Sequence, residues 1–356
     1  MRNQGAWIAL LLLAFTLTVN ADNISFSTFV SGGDIAGVES GNHQTIAFNF
    51  AGNKFVGSVY IGASNNQLYS TDLTGTSVAP FGDPIPGAGG EVVVGASLGQ
   101  GGFPKGDIYA GSSNNGQIYH FANSGGAPTL FTTVPVGAVR QIFFDPGSSF
   151  GGDMIVTTSA GFIWRVNNLG VPSLVKSVAE DTEGVDIATS AWGPFAGDLL
   201  VSSEGSSQIR LISPGGVITP VLGPGAFPGA ETVSFVPLSL DASDPLQGFY
   251  VADFPTDIQF AAASNFTSQG LLGDAIVTSE FDGTPKFAWD VRYDSGTGTF
   301  SKTLFTQTGN GITQFEDGIF VTPQRISETS VPEPSSLLLL GAGILGFVGS
   351  LRRKFF

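Results

Sequence analysis

Gly106-Asp107-Ile108-Tyr109-Ala110-Gly111 returns 46 residues later as Gly152-Asp153-Met154-Ile155-Val156-Thr157, and after another 45 as Gly197-Asp198-Leu199-Leu200-Val201-Ser202. Gly57-Ser58-Val59-Tyr60-Ile61-Gly62 stands 49 residues before the first of these, and Gly273-Asp274-Ala275-Ile276-Val277-Thr278 follows later. Weaker copies are Gly248-Phe249-Tyr250-Val251-Ala252 and Gly318-Ile319-Phe320-Val321-Thr322. Each copy reads as a turn followed by a short apolar strand. In a chain of short strands, a period of about 40 to 50 residues indicates propeller blades.

The segments around each phrase fill out the blade. Upstream lies a first apolar strand: Ile46-Ala47-Phe48, Val92-Val93-Val94, Ile142-Phe143-Phe144, Val185-Asp186-Ile187, Val233-Ser234-Phe235, Ile258-Gln259-Phe260 and Ile312-Thr313-Gln314-Phe315. Downstream lies an alternating third strand, as in 117–121, 162–166 and 208–212, and then a fourth, as in 129–133 and 217–221. Four strands per repeat is the content of a propeller blade. The expected fold is therefore an all-β propeller of six or seven four-stranded blades, with seven favoured and one of them degenerate. Residues 24–30 form a spare strand that can complete the last blade, since ring closure removes exposed edges.

Both chain ends read as targeting segments. Residues 1–21 combine Arg2, an apolar stretch and the small-residue site Val19-Asn20-Ala21, the pattern of a secretory signal peptide. The propeller is assigned to 22–325 and a linker to 326–334, which holds Val331-Pro332-Glu333-Pro334. Residues 335–351 are uncharged, at the low end of the roughly 17 to 25 residues that span a bilayer as a helix. A basic tail, 352–356, begins Arg352-Arg353-Lys354 and by the positive-inside rule stays cytoplasmic. Pro-Glu-Pro cannot continue a helix and keeps the approach extended, as a protease needs in order to read a backbone.

Pro-Glu-Pro, apolar helix and arginine cluster together resemble the PEP-CTERM sorting signal of bacterial exported proteins. That resemblance implies an exosortase-type protease as partner, a membrane-anchored precursor, and release to the cell surface or an exopolysaccharide-rich extracellular matrix. The repeats resemble those of six-bladed gluconolactonase-type and sugar-dehydrogenase-type propellers.

Composition narrows the chemistry. Outside the targeting segments, 28 acidic residues face 10 basic ones, a balance of −18 over residues 22–332. Nucleic acid is excluded as a partner, because phosphate binding runs on Lys and Arg. The chain has no cysteine, which excludes disulfides, thiolate metal sites and cysteine nucleophiles. Only two histidines occur: His43, a possible base for a sugar dehydrogenase, and His120, which reads as a surface residue of a third strand. No nucleophile elbow is read in the chain, and Trp164 reads as packing between blades.

Residues that precede first strands crowd one mouth of a propeller channel. Gln44, Glu91, Arg140, Gln141, Glu183, Asp186, Glu231 and Asp257 fall there, and Glu91, Glu183, Glu231 and Asp257 form a candidate Ca²⁺ site, since Ca²⁺ takes six to eight oxygens. The resemblance to gluconolactonase-type propellers implies a divalent cation at this place. Glu180-Asp181-Thr182-Glu183-Gly184-Val185-Asp186 otherwise reads as a solvated acidic loop. Two functions follow: an exported surface or matrix protein with a binding or structural role, or a secreted cation-dependent lactonase or sugar dehydrogenase. The sorting reading predicts that the mature protein has lost Leu337–Phe356. Intact-mass measurement of protein recovered from the cell surface checks this, and a membrane-bound product retaining those residues would leave a plain anchor.

Overall fold

The computed structural model describes residues 23–60, 67–280 and 288–322. Residues 1–21, read as a signal peptide, the Pro-Glu-Pro segment and the apolar stretch 335–351 lie outside these. Among the described residues no helix is long and apolar enough to cross a membrane.

Six sheets form a closed ring. Blade one comprises Thr45–Phe50, Phe55–Val59, Leu68–Thr71 and Ala79–Phe81. Blade two comprises Val92–Ala96, Ile108–Ser112, Gln117–Phe121 and Thr129–Thr133. Blade three runs over Val139–Phe144, Met154–Thr158, Phe162–Val166 and Pro172–Ser177, and blade four over Val185–Ile187, Leu199–Ser203, Gln208–Ile212 and Ile218–Val221. In each, the first strand touches the first strands of both neighbouring blades and so lines the central channel. The second strands are buried along their whole length, because they are covered on both faces by adjacent blades. Fourth strands are largely exposed.

Blades five and six are interleaved, which corrects the seven-blade count. Ala230–Phe235 is the inner strand of blade five, but the chain then builds the hairpin Gly248–Asp253 and Ile258–Ala262 in blade six. A short helix, Ser264–Thr267, returns it to blade five for Ala275–Ser279, Ala288–Asp294 and Thr299–Leu304. Blade six is completed by Thr306–Gly309 at its outer edge and Phe315–Val321 at the channel, with Asn23–Val30 inserted between Ile258–Ala262 and Thr306–Gly309. Residues 258–260 are thus part of a third strand, and 318–322 belong to a channel strand rather than to a second one. The N-terminal strand does complete the last blade. The two ends of the described chain thereby close the ring within one sheet, leaving no open seam.

The repeated phrase has a double structural role. Gly106 and Gly152 take φ of +78° and +72°, a turn conformation that L side chains rarely adopt. The following aspartate reaches a basic residue on the third strand: Asp107 with His120 at 2.7 Å, Asp153 with Arg165, and Asp274 with Arg292 at 2.8 Å. His120 is therefore a half-buried partner of Asp107 packed against Tyr109, not a free surface residue. In blade one the turn lies at Gly52, and Gly57 sits inside the second strand. Its ideal Cβ would lie 2.4 Å from the Tyr69 ring, so that glycine permits close packing rather than a turn.

Adjacent blades are laced by side chains. Ser58 donates to Val92 O, Thr157 to Glu183 O at 2.9 Å, Ser202 to Glu231 O, and Ser234 to Gly318 O at 3.0 Å. At the seam of blades two and three a Cβ on Gly111 would lie 2.8 Å from the Val139 side chain, so the valine packs directly on the bare glycine backbone. The seam of blades six and one carries an aromatic cluster, with Phe55 4.9 Å from Phe48, 5.1 Å from Phe29 and 4.7 Å from Tyr250. Trp164 packs between blades two and three, as its sequence position implies. Ser202 is fully buried and also accepts from Gly184 N at 2.7 Å. Ser202→Ala should cost about 0.5–1.5 kcal/mol in chemical denaturation, because the hydroxyl's bonds are lost while Gly184 N and Glu231 O stay bonded to each other at 2.9 Å.

Candidate metal centre at the channel mouth

The channel strands all run the same way around the axis, so the residues at their N-terminal ends gather at one mouth. Glu91, Arg140, Glu183, Glu231 and Glu316 line it, one from each of blades two to six, with Ile46 from blade one. The second ring of residues around this mouth comes from loops. Glu204 follows the second strand of blade four, Glu280 follows that of blade five, and Gln314 precedes the channel strand of blade six.

Charge is divided unevenly across the mouth. Arg140 is the one basic residue among those lining it, and it bonds Glu91 and Asp181 at 2.7 Å each and Glu183 at 3.2 Å. Burial opposes the Arg140 charge, but Glu183, Asp181 and Glu91 outweigh it and raise its pKa. Glu180 is likewise tied to Arg210 and Ser206. The stretch 180–186 is thus a network of ion pairs in contact with the channel, not a solvated loop, because two arginines from other strands reach it.

On the other side burial outweighs the influence of Arg140 on Glu204, and Glu204 and Glu280 hydrogen-bond each other. Carboxylate oxygens of Glu204, Glu231 and Glu280 lie within 4.8 Å of one another. Gln314 Nε2 donates to Glu280 at 2.8 Å and to Glu316 at 2.6 Å. Glu204 Oε1 is buried without a hydrogen-bond partner. Burial, reinforced by neighbouring carboxylates, pushes Glu280 up to about 10 and Glu316 up to about 8, and raises Glu231 well above the carboxylate range. Glu204 is raised for the same first reason, and Glu183 remains raised despite Arg140. Such a cluster is stable only with protons or a cation between the oxygens. An all-carboxylate donor set with an orphaned buried oxygen suits a hard cation such as Ca²⁺.

Of the four acids named from sequence, Glu91, Glu183 and Glu231 come together at this mouth. Glu91 and Glu183 are engaged by Arg140, and only Glu231 belongs to the close triad. Asp257 lies elsewhere: it precedes a third strand and accepts from Gly32 N at 2.7 Å and Thr28 Oγ1 at 3.3 Å. Glu204 and Glu280 escaped the sequence reading, although each stands seven residues after the glycine of its phrase, Gly197 and Gly273. His43 is exposed and does not line the mouth. Two segments, 95–99 and 147–151, do have Gly-x-Ser-x-Gly spacing, contrary to the sequence reading. Neither is followed by the helix that an elbow requires, and Ser97 is buried with its hydroxyl accepting from Gly99 N.

Residues 330–354 match the PEP-CTERM protein-sorting motif, which indicates an exported, sorted surface protein processed by exosortase. No curated protein sequence matches the chain. Among solved structures, a gluconolactonase-family protein aligns at 12% identity and TM-score 0.48, over 84% of this chain and 92% of its own. Virginiamycin B lyase from Staphylococcus aureus aligns at 13% identity and TM-score 0.44, over 73% and 84%. Likenesses this remote say nothing about chemistry.

Raised carboxyl pKa values make the folded state the stronger proton binder. Stability is then greatest below the unfolded value of about 4.5 and is lost as pH rises through about 8 for Glu316 and about 10 for Glu280. With chelator present, the melting temperature should fall between pH 6 and pH 9, and Glu280→Gln should flatten that slope. A melting temperature that rises over this range in the wild type would contradict the assignment.

Proposed function

We propose that the protein is an exported, exosortase-processed component of the cell surface or extracellular matrix whose propeller is a cation-dependent binding module. The observation that carries this reading is the convergence of Glu204, Glu231 and Glu280 at the channel mouth, with carboxylate oxygens within 4.8 Å of one another. The cavity at this mouth measures only about 20 Å³, room for an ion or a water but not for a sugar lactone. This small volume favours a binding or structural role over the lactonase or sugar-dehydrogenase reading.

A cation here would link an acidic protein to an acidic partner. The propeller carries too few basic residues to hold polyanions directly, whereas a Ca²⁺ ion shared between the glutamates and a uronate-bearing exopolysaccharide satisfies both charges. The glutamates would supply oxygen ligands, with Gln314 orienting Glu280 and Glu316 through its amide.

Calcium titration followed by thermal melting tests the site. At about 100 times its dissociation constant a single ion adds about 2.7 kcal/mol, a rise of several degrees for a protein of this size. Glu231→Gln and Glu280→Gln should each remove most of that rise. No stabilisation at millimolar Ca²⁺ would mean that the triad holds protons instead, and the reading would fall.

A further inference from the structure

The channel is divided in two. Gln141 of blade three donates through Nε2 to Asp317 Oδ1 of blade six at 2.9 Å. Blades three and six face each other across a six-membered ring, so this hydrogen bond spans the axis. Both residues line the acidic mouth on one side and a second, larger chamber on the other. That second chamber has a volume of about 190 Å³ and is bounded by the channel strands of all six blades.

Its lining differs from that of the acidic mouth. Two carboxylates border it, both fixed by donors on the protein: Asp186 accepts from Ile187 N at 2.6 Å and Phe235 N at 2.7 Å, and Asp317 accepts from Gly318 N at 2.8 Å as well as from Gln141. Phe143, Ile187 and Ile319 contribute apolar wall, and no lysine, arginine or histidine is among the described lining residues. Exposed Ser239 sits at the rim. Carboxylates anchored in this way need no rearrangement to receive a ligand, and preorganisation of that kind lowers the cost of binding. A concave, mostly apolar space with a few fixed polar groups is the usual form of a small-molecule site.

We propose that this second chamber binds a small organic cation, with an ammonium group directed to Asp186 and Asp317 and an apolar body against Phe143, Ile187 and Ile319. The site is separate from the glutamate triad and does not depend on a metal there. Anions are excluded by the two carboxylates, and a neutral molecule of the same shape gains the apolar contact without the charge-assisted hydrogen bonds.

Phenethylammonium, 2-phenylethanol and 3-phenylpropionate serve as probes of one shape and three charges. Calorimetry on the exported protein with chelator present should show saturable binding of phenethylammonium, at least about tenfold weaker binding of the alcohol, and none of the carboxylate. Asp186→Asn should weaken the ammonium about tenfold. Ser239→Trp, an exposed rim change that leaves the blades intact, should obstruct entry and weaken it similarly, while Glu231→Gln should leave it unchanged. The proposal is overturned if phenethylammonium fails to bind or binds no better than the alcohol. It is equally overturned if the affinity survives Ser239→Trp, or if it is lost with Glu231→Gln, which would place the ligand at the other mouth.

Discussion

Everything in this molecule depends on one ring closure. The innermost strand of blade six, Phe315–Val321, and its fourth strand, Asn23–Val30, come from opposite ends of the described chain and share a sheet with the hairpin 248–262. The chain also starts blade six, with the hairpin 248–262, before it completes blade five. Around the rest of the ring, a hydroxyl or a bare glycine at each seam, on the second strand in four of the five, lets one blade approach the next blade's channel strand closely. The result is six inner strands held at a fixed distance from the axis, which fixes the width of the channel and brings its acids together.

That geometry forces like charges together at one mouth. Arg140 bonds Glu91, Asp181 and Glu183, whereas Glu204, Glu231 and Glu280 crowd together with their carboxylate oxygens within 4.8 Å of one another. Bringing three carboxyl groups within a few ångströms in a buried site is unfavourable unless something positive, a proton or a metal ion, sits among them. The mouth is therefore the place where the fold spends stability, as functional sites commonly do. Across the axial hydrogen bond between Gln141 and Asp317 the channel changes character, from a small acidic opening to a wider chamber with apolar walls and anchored carboxylates.

How much of this was legible in the sequence can be followed residue by residue. Third strands 117–121, 162–166 and 208–212 were bounded correctly, because alternation and flanking turn residues mark a half-buried strand locally. Residues 258–260 were misassigned as a channel strand, since an apolar triplet does not state which position in a blade it fills. Asp257 went with it, and Glu316 was missed because the last channel strand was read at 312–315 rather than Phe315–Val321. Glu204 and Glu280 share one register of the repeat, yet their convergence depends on blades four and five being neighbours, which no single repeat reveals.

The sequence alone determined the repeating unit, the absence of cysteine chemistry, the acidic balance and the sorting motif at the C-terminal end, because each is a matter of local pattern or composition. Only the tertiary structure decided the number of blades, the interleaving of the last two, and which acids share a mouth. Those depend on contacts between residues far apart in the chain, such as Phe26 against Phe315, or Gln141 with Asp317. Local periodicity carries no record of such pairings, since they arise only when the ring closes.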